Sequence, residues 1–207
     1  MHYRMYDIIH SDEALVAVNK PTHLLTVPGR GPDKQDCLYH RVLEEFPDAL
    51  VVHRLDMDTS GLILFARSPA AQRNLGLQFE KREIRKAYVA VVEGLLEQDA
   101  GVVDCPMRKD MEQRLPPRHI IDCIRGKQAI TEWRVLERGA STTRVALYPQ
   151  TGRSHQLRVH MHALGFPMVG DPIYGVPDQR LMLHAETLEL KHPDSVEPIR
   201  LECPASF

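Results

Sequence analysis

The sequence predicts an α+β fold with a mixed, mostly antiparallel central sheet flanked by helices and loops. Short apolar or alternating segments, which are typical of strands, outnumber the segments with helical periodicity. The two kinds of segment do not alternate strictly along the chain, which disfavours a doubly wound parallel sheet. The chain has 207 residues, of which 43% are hydrophobic and 26% charged, so it can bury a substantial core.

Prolines and a capping residue mark the ends of the elements predicted in the first half of the chain. In order, these elements are a strand over 15–18, a loop over 29–33, a helix over 38–46, a strand over 62–66 and a helix from 69 to about 81. The first strand stops before Pro21 and the first helix stops at Pro47. Ser68 before Pro69 supplies an N-cap and a first-turn proline, which together predict the start of the second helix.

The second half of the chain is richer in strand patterns. The predicted elements are strands over 87–92, 131–136 and 143–147, a turn over 149–152, a helix over 153–164 and a final strand over 181–190. Gly165 is a typical C-cap for the helix. The segment 97–128 is interrupted by glycines and prolines, so we expect irregular loops there.

The charge balance limits the classes of partner. A net charge of −2 argues against nucleic-acid binding by bulk charge alone, but it leaves room for a local basic groove. Two segments, 81–86 and 108–127, are locally basic, and charge alone favours a solvated surface for both. No signal-peptide pattern or long apolar run occurs, so we expect a cytoplasmic protein. Four cysteines without C-x-x-C spacing are expected to be free thiols: Cys37, Cys105, Cys123 and Cys203.

A His-Arg-x-Asp group, His53 to Asp56, stands just before Thr59-Ser60-Gly61 and an apolar strand. Charged side chains this close to a buried strand are costly unless they are paired or used. A turn placed by a rigid strand is also a usual position for catalytic groups. From these residues alone, a structural salt bridge between Arg54 and Asp56 is about as well supported as catalysis by Asp56.

The segment His53-Arg54-Leu55-Asp56-x-x-Thr59-Ser60-Gly61 resembles the signature of the RluA-type pseudouridine synthases. Further segments resemble other motifs of this family, in family order: Val18-Asn19-Lys20-Pro21, Lys86-Ala87-Tyr88-Val89-Ala90, Thr151-Gly152-Arg153-Ser154-His155-Gln156-Leu157-Arg158-Val159-His160, Gly170-Asp171-Pro172-x-Tyr174-Gly175 and Leu183-His184-Ala185. The resemblance covers nearly the whole chain and is strongest to the stand-alone RluA subgroup. It implies the pseudouridine synthase fold and one catalytic domain over 1–207, without the N-terminal S4 domain that some relatives carry.

The resemblance also implies a reaction and its catalytic residues. Pseudouridine formation breaks the C1′–N1 bond of uridine, turns the uracil and rejoins it through C5, so no cofactor is expected. Asp56 is the expected essential carboxylate, and attack on C1′, addition to C6 and assistance of a glycal route all stay open. Arg158 is the expected ion partner that keeps Asp56 charged, through a planar fork that lysine lacks. Tyr88 is expected to stack on the uracil and to lie near the C5 proton.

The remaining expected site residues bind RNA or line the pocket. Arg54, His53, Arg153 and His155 are expected to bind RNA, and Arg54 is associated in the family with the flipped nucleotide and its vacated place in the stack. Thr59 and Leu183 are expected to line the pocket. Subgroup members act on the anticodon stem-loop of tRNA, on a hairpin of large-subunit (23S-type) rRNA, or on both, so we expect such RNA as the partner. We also expect a monomer with no membrane association.

One position departs from the family pattern, and three alternatives compete with the expected function. His23 stands where the family usually has glycine. Asp56 and Asp58 could form a glycosidase-like pair, but we expect Asp58 to be a surface or capping residue. The histidines at 155, 160 and 162 could suggest a metal site, but their spacing does not place them on one helix face, so no metal is expected. The third alternative is a catalytically inactive RNA-binding homologue, which would be expected to lack Asp56, Tyr88 or Arg158.

Overall fold

The computed structural model describes residues 6–112 and 116–207, and these residues form twelve strands, a short 3-10 helix and three α-helices. The elements are β1 (Asp7–Ser11), β2 (Leu15–Lys20), the 3-10 helix (Pro32–Lys34), α1 (Leu38–Leu43), β3 (Leu50–Val51), β4 (Ser60–Ala66), α2 (Pro69–Glu80), β5 (Arg85–Glu93), β6 (Ala100–Asp104), β7 (Met107–Lys109), β8 (His119–Ile121), β9 (Ile130–Arg138), β10 (Thr142–Pro149), α3 (Gln156–Ala163), β11 (Leu183–Lys191) and β12 (Pro198–Glu202). They belong to two compact units. The first unit comprises residues up to 86 together with 184–206, and the second comprises 87–183 together with Phe207. The prediction of one catalytic domain over 1–207 stays a prediction.

The first unit is built on a mixed sheet in which β1, β2, β4 and β11 are successive neighbours. β2 lies antiparallel to both β1 and β4, whereas β4 and β11 run parallel, with Ser60 opposite His184 and Gly61 opposite Ala185. β3 and β12 extend it by antiparallel pairing with β4 and β11. All seven residues of β4 are buried, as expected for a strand that reads as a continuous apolar run.

Helix α2 closes one face of this sheet. Ala71 and Leu75 of α2 pack in one apolar cluster with Leu62 and Leu64 of β4. The helix begins as predicted, because the Ser68 hydroxyl accepts the amide of Ala71 at 3.1 Å.

The second unit contains an antiparallel sheet in the order β5, β10, β9, β6, and a separate hairpin of β7 and β8. Helix α3 packs on this sheet through Leu157 and Met161, which share an apolar cluster with Trp133 and Leu147. The predicted α+β class with a mixed, mostly antiparallel sheet is therefore confirmed.

Three predicted elements were wrong in part. The segment 97–128 is not irregular throughout, because it contains β6, β7 and β8; its residues 113–115 lie outside the described residues. Helix α1 ends at Leu43 rather than at Phe46. Helix α3 begins at Gln156 rather than at 153, because His155 takes a left-handed backbone conformation with φ of 58°. Among the described residues, no helix is long and apolar enough to span a membrane.

Candidate active site

The turn that carries Asp56 is fixed at its leading edge by a buried threonine. The Thr26 hydroxyl donates to the carbonyl of Leu55 at 2.8 Å and accepts the amide of Leu55 at 3.2 Å. Thr26 and Leu55 are both buried. Because one hydroxyl satisfies both backbone groups of Leu55, the peptide before Asp56 has a defined position without regular secondary structure.

The same turn is fixed at its trailing edge by Lys20, which is fully buried at the end of β2. The Lys20 ammonium donates to the carbonyls of Pro21, Leu24 and Met57 at 2.8, 2.7 and 2.9 Å. Burial lowers the pKa of Lys20 to about 7, and the charges of Asp58 and Asp56 act in the opposite direction. Three carbonyl acceptors need all three protons of an ammonium, so the protonated form is the one that fits this site.

Asp56 is half-buried in a short turn, in which its carbonyl accepts the amide of Thr59 at 3.2 Å. The chain then enters β4 at Ser60 and Gly61. A side chain at Gly61 would meet the Ala185 carbonyl oxygen at 2.3 Å, and Gly61 has a φ of +110°, so this position requires glycine. The parallel contact between β4 and β11 therefore determines where the Asp56 turn ends.

His184 joins β4 to the strands beside it through both of its ring nitrogens. Its Nε2 donates to the carbonyl of Cys203 at 2.8 Å, so its Nδ1 accepts the hydroxyl of Ser60 at 2.9 Å. This neutral tautomer fixes the first residue of β4, four positions after Asp56.

Asp58 is a buried residue, so of the two expected roles, surface or capping, the surface position was wrong and the capping role stays a prediction. Its side chain is 10% exposed and lies 3.3 Å from Nδ1 of His23, while its carbonyl accepts the hydroxyl of Thr22 at 2.8 Å. His23 has a φ of 59°. The histidine thus adopts the left-handed conformation that the family's usual glycine would supply, and its ring pairs with Asp58. Asp58 is engaged in structure, which leaves no glycosidase-like pair with Asp56.

The two residues before Leu55 differ in environment. His53 Nε2 accepts the amide of Leu64 at 3.0 Å, and its ring packs on Phe79 with centroids 4.6 Å apart. Although part of His53 stays accessible to solvent, desolvation, with a further contribution from the charge of Lys86, lowers its pKa to about 3. Arg54 is exposed and makes no ion pair within the described part of the chain, so a salt bridge to Asp56 is not present. The RNA-binding roles of both residues stay predictions.

In the second unit, Arg158 of α3 forms a buried pair with Asp171. Its Nε and Nη2 donate to the two carboxylate oxygens at 2.7 and 2.6 Å, and the two side chains are 2% and 0% exposed. Burial alone would raise the pKa of Asp171, but the hydrogen bonds and charge of Arg158 outweigh it, and the amides of Ile173 and Tyr174 add to this effect. The pKa of Asp171 therefore lies below its ordinary value.

Tyr174 connects Arg158 to the hairpin of β7 and β8. The Arg158 guanidinium carbon lies 5.3 Å from the Tyr174 ring centroid, within the range of a cation–π contact. The Tyr174 hydroxyl accepts the amide of His119 at 2.8 Å and lies 3.0 Å from Nδ1 of His155. Desolvation raises the pKa of Tyr174, so its hydroxyl keeps its proton and can donate it to His155. The Tyr174 side chain therefore contacts both the start of α3 and strand β8.

The other expected residues of this unit have clear positions. Tyr88 is half-buried on β5, opposite Leu147 of β10. Leu183 is buried in the core cluster, which is the environment of an ordinary core residue. Arg153 is exposed, and its Nε donates to the carbonyl of Gln128 at 3.2 Å. The catalytic, pocket and RNA-binding roles of these residues, and the pairing of Arg158 with Asp56, stay predictions.

The histidines that could suggest a metal site are engaged otherwise. His160 Nε2 donates to the carbonyl of Cys105 at 3.1 Å, so Nδ1 accepts the Thr131 hydroxyl at 2.9 Å. Desolvation lowers the pKa of His160, consistent with a neutral ring. In the described ranges, no three His, Cys, Asp or Glu side chains come together as a ligand set.

Sequence reasoning gave no role to Lys20, Thr26, Asp171 or Tyr174, although all but Thr26 lie in the matched motifs. A signal was available for Lys20, because a lysine two residues after the apolar run Leu15–Val18 must either leave the core or find partners there. The pairing of Arg158 with Asp171 had no comparable signal, since neither charge is unusual in the sequence.

Comparison with known proteins identifies the family. The family model described as RNA pseudouridylate synthase matches residues 14–163. Proteins named dual-specificity RNA pseudouridine synthase RluA are similar to nearly the whole chain. The Yersinia pestis protein is 45% identical over 97% of this chain and 99% of its own length, and the Pasteurella multocida protein is 48% identical over 97% and 94%. Among solved structures, human RNA pseudouridylate synthase domain containing 1 has a TM-score of 0.84 at 30% identity, covering 99% of this chain and 85% of its own.

The α+β fold, with a charged turn leading into a buried strand, is thus that of an RNA-modifying isomerase. The chain belongs to the RNA pseudouridylate synthase family. It is an RNA pseudouridine synthase, and the alternative of an inactive RNA-binding homologue is not supported.

Proposed function

We propose that this chain isomerises a specific uridine in a structured RNA hairpin to pseudouridine, with Asp56 as the essential carboxylate. The observation that carries the proposal is the fixation of the Asp56 turn from both sides. Thr26 holds the peptide before Asp56 and Lys20 holds the carbonyl of Met57 after it. A carboxylate that must meet one reacting atom gains from such preorganisation, because little reorganisation remains for the reaction itself.

The proposed reaction needs no external atom or electron. The C1′–N1 bond breaks, a C1′–C5 bond forms, and the proton at C5 moves to N1 through a base. Asp56 acts at C1′, at C6 or on a glycal route, and these three routes stay open. Tyr88 is the proposed platform for the free uracil and is proposed to lie near the C5 proton. No cofactor is part of the proposal.

Arg158 is proposed to stabilise the charge of Asp56. Asp171 occupies the Nε–Nη2 edge of the Arg158 guanidinium. A pairing with Asp56 would therefore use Nη1, and Asp171 would act as a positioning residue that fixes the orientation of the guanidinium. This extends the expectation from sequence, in which Asp56 itself was the partner held by the planar fork.

Four residues are proposed to bind RNA, namely His53, Arg54, Arg153 and His155. Arg54 is the best supported, because it is exposed, unpaired in the described structure and adjacent to the catalytic turn. It is proposed to take the place of the target base when that base leaves the stack. His53 is proposed to act mainly by orienting this turn, since its Nε2 is bound to β4.

The proposed substrates are the anticodon stem-loop of tRNA, a large-subunit rRNA hairpin, or both. The support is the name of the relatives, which are described as dual-specificity enzymes. We further propose a monomer with one catalytic domain that acts in the cytoplasm, where both RNAs are found.

The experiment measures tritium release from 5-tritiated uridine in total tRNA and in ribosomal RNA. The wild type is compared with Asp56→Asn and with Asp58→Asn, a matched carboxylate two residues away. Release by the wild type and by Asp58→Asn, but not by Asp56→Asn, is expected, and the RNA that responds identifies the substrate class. Equal release by all three proteins would overturn the role of Asp56.

A further inference from the structure

The second unit contains two cysteines, Cys105 shortly before β7 and Cys123 shortly after β8. All four cysteines of the chain are free thiols in this structure, as the sequence predicts. Cys37 and Cys203 lie in the first unit and are buried, with exposed fractions of 0% and 4%. In contrast, Cys123 is exposed and Cys105 is half-buried, so a small dissolved oxidant can reach this pair.

The ladder of the β7–β8 hairpin brings these two cysteines opposite each other. Its antiparallel pairs are Met107 with Ile121, Arg108 with Ile120 and Lys109 with His119. Beyond the ends of the two strands, the carbonyl of Pro106 accepts the amide of Asp122 at 2.9 Å, so the pairing continues for one more position. The next position in the same register has Cys105 opposite Cys123.

Cys105 and Cys123 occupy a non-hydrogen-bonded position of this ladder. Successive residues of a strand direct their backbone groups to opposite sides, and Pro106 directs its carbonyl towards Asp122. Cys105 directs its backbone to the other side, since its amide donates to the carbonyl of Ala129 at 3.2 Å. Facing residues of a non-hydrogen-bonded pair have Cα atoms about 4.5 Å apart, which lies within the range of about 4.4–6.8 Å for a disulfide.

The pKa of Cys105 gives a second indication that the two thiols are close. Burial raises this pKa, and the charge of a Cys123 thiolate raises it further, by more than the charge of the adjacent residue Asp104. A like charge disfavours ionisation in this way only over a short distance. The influence of Cys123 therefore agrees with the position that the register gives.

The backbone on both sides of the pair is held by hydrogen bonds. The carbonyl of Cys105 accepts Nε2 of His160 at 3.1 Å. The carboxylate of Asp122 accepts the amide of Ile124 at 3.0 Å, which fixes the turn that contains Cys123. Because the register already brings the two backbones together, forming a bond between the sulfurs requires mainly the rotation of two side chains.

We propose that Cys105 and Cys123 form a reversible disulfide, which makes the base of this hairpin a site of oxidative modification. In a reducing compartment the two thiols stay free, and the bond forms when a hydroperoxide is present. The peroxide transfers one oxygen atom to the Cys123 thiolate, which becomes a sulfenic acid, and the peroxide takes up a proton and leaves as water or an alcohol. The sulfur of Cys105 then bonds to that of Cys123, and its proton leaves with the displaced hydroxide as water. A dithiol reverses the reaction by thiol–disulfide exchange.

The test treats the full chain, freed of reductant, with equimolar hydrogen peroxide and counts the thiols after quenching and unfolding. The count is expected to fall from four to two, and digestion with trypsin should yield peptides 87–108 and 119–125 joined in one species. Dithiothreitol should restore all four thiols. Cys123→Ser removes the exposed thiol and should yield no joined peptide, whereas the matched control Cys203→Ala, which removes a buried thiol, should still yield it.

A thiol count that stays at four, or a joined species that contains Cys37 or Cys203, would overturn the proposal. A bond between two copies of the chain, which a non-reducing gel distinguishes by size, would overturn it as well. The same holds for a sulfinic acid at Cys123 without any joined peptide. None of these measurements uses RNA, so the outcome is independent of the proposed function.

Urea unfolding checks whether the bond fits the native register. A disulfide restricts the unfolded chain, so the oxidised protein is expected to unfold at a higher urea concentration than the reduced protein. Dithiothreitol should abolish the difference, and Cys123→Ser should show none. A midpoint that falls on oxidation would mean that the bond distorts the hairpin, which contradicts the inference that the native register brings the two sulfurs together.

Discussion

Arg158 and Asp171 share two short hydrogen bonds while both side chains are almost completely buried. Such a pair gives little net stability compared with apolar residues, because both charges lose their hydration. Its value lies in geometry, since the guanidinium can keep both bonds in only one orientation. The pair therefore fixes the direction in which the remaining edge of Arg158 points.

Asp171→Asn is expected to lower the free energy of unfolding by about 3–5 kcal/mol, because it removes the charged acceptor of two hydrogen bonds from a buried guanidinium. Urea unfolding measures the loss. Asp48→Asn is the matched control, since the Asp48 side chain in the pair with Arg67 is 46% exposed, and its loss should stay below about 1 kcal/mol. Equal losses for the two variants would show that breaking the buried pair destabilises the fold no more than breaking the more exposed pair.

Arg158→Lys is expected to reduce kcat/KM for tritium release about 100-fold, although the charge is kept. A lysine ammonium cannot make the two parallel bonds to Asp171, so the positive charge would lose its fixed direction. The control is Arg67→Lys at the more exposed pair with Asp48. Turnover close to the wild-type value in Arg158→Lys would mean that only the charge matters.

Lys20→Met is expected to destabilise the fold by at least about 3 kcal/mol, because it leaves three carbonyls without their donor. For the molecules that remain folded, kcat should fall while KM changes little, since the carbonyl of Met57 next to Asp56 is no longer held. Unfolding in urea and tritium release measure the two effects. Lys81→Met, at an exposed position, serves as the control and should alter neither property.

The free energy of unfolding is expected to decrease as the pH falls below about 6.5. The pKa values of His53 and His160 are lowered in the fold, so below 6.5 the unfolded chain takes up protons that the folded chain does not. Each such group lowers the free energy of unfolding by at most about 1.4 kcal/mol for each pH unit below 6.5. The contribution of His53 continues to about pH 3. Urea unfolding between about pH 8 and pH 4 gives the slope.

His160→Gln should flatten that slope, whereas His162→Gln, at an exposed position, should leave it unchanged. A slope that does not respond to His160→Gln would assign the pH dependence to other groups.

Much of the fold could be predicted because its strands are local apolar runs. Residues 15–18 and 62–66 lie within β2 and β4, and Ser68 caps α2 as its position before Pro69 indicated. Strand β6 could not be predicted in the same way. Its residues are mostly exposed, and its partner β9 lies about thirty residues further along the chain, so only the tertiary pairing makes it a strand.

In the candidate site, too, the features that depend on neighbouring residues in the sequence could be predicted, and those that depend on tertiary contacts could not. The motif containing Asp56 is contiguous, so the sequence placed Asp56 on a turn before a buried strand. The supports of this turn come from Lys20 and Thr26, which lie 37 and 29 residues before the residues they hold, and nothing local to Asp56 indicates them. The burial of Asp58, which was expected to be a surface or capping residue, was not predicted for the same reason, since it depends on Thr22 and His23.

The close approach of Gly61 to Ala185 means that residues of one motif are required for two different reasons, the packing of the sheet and the chemistry. Any larger residue at Gly61 would collide with a neighbouring strand whether or not the protein turns over RNA. A homologue that had lost catalysis would therefore still need this glycine, whereas the residue at position 56 could be replaced. Within the motif, Gly61 is therefore required by the packing of the sheet, whereas Asp56 is required only for its proposed role in catalysis.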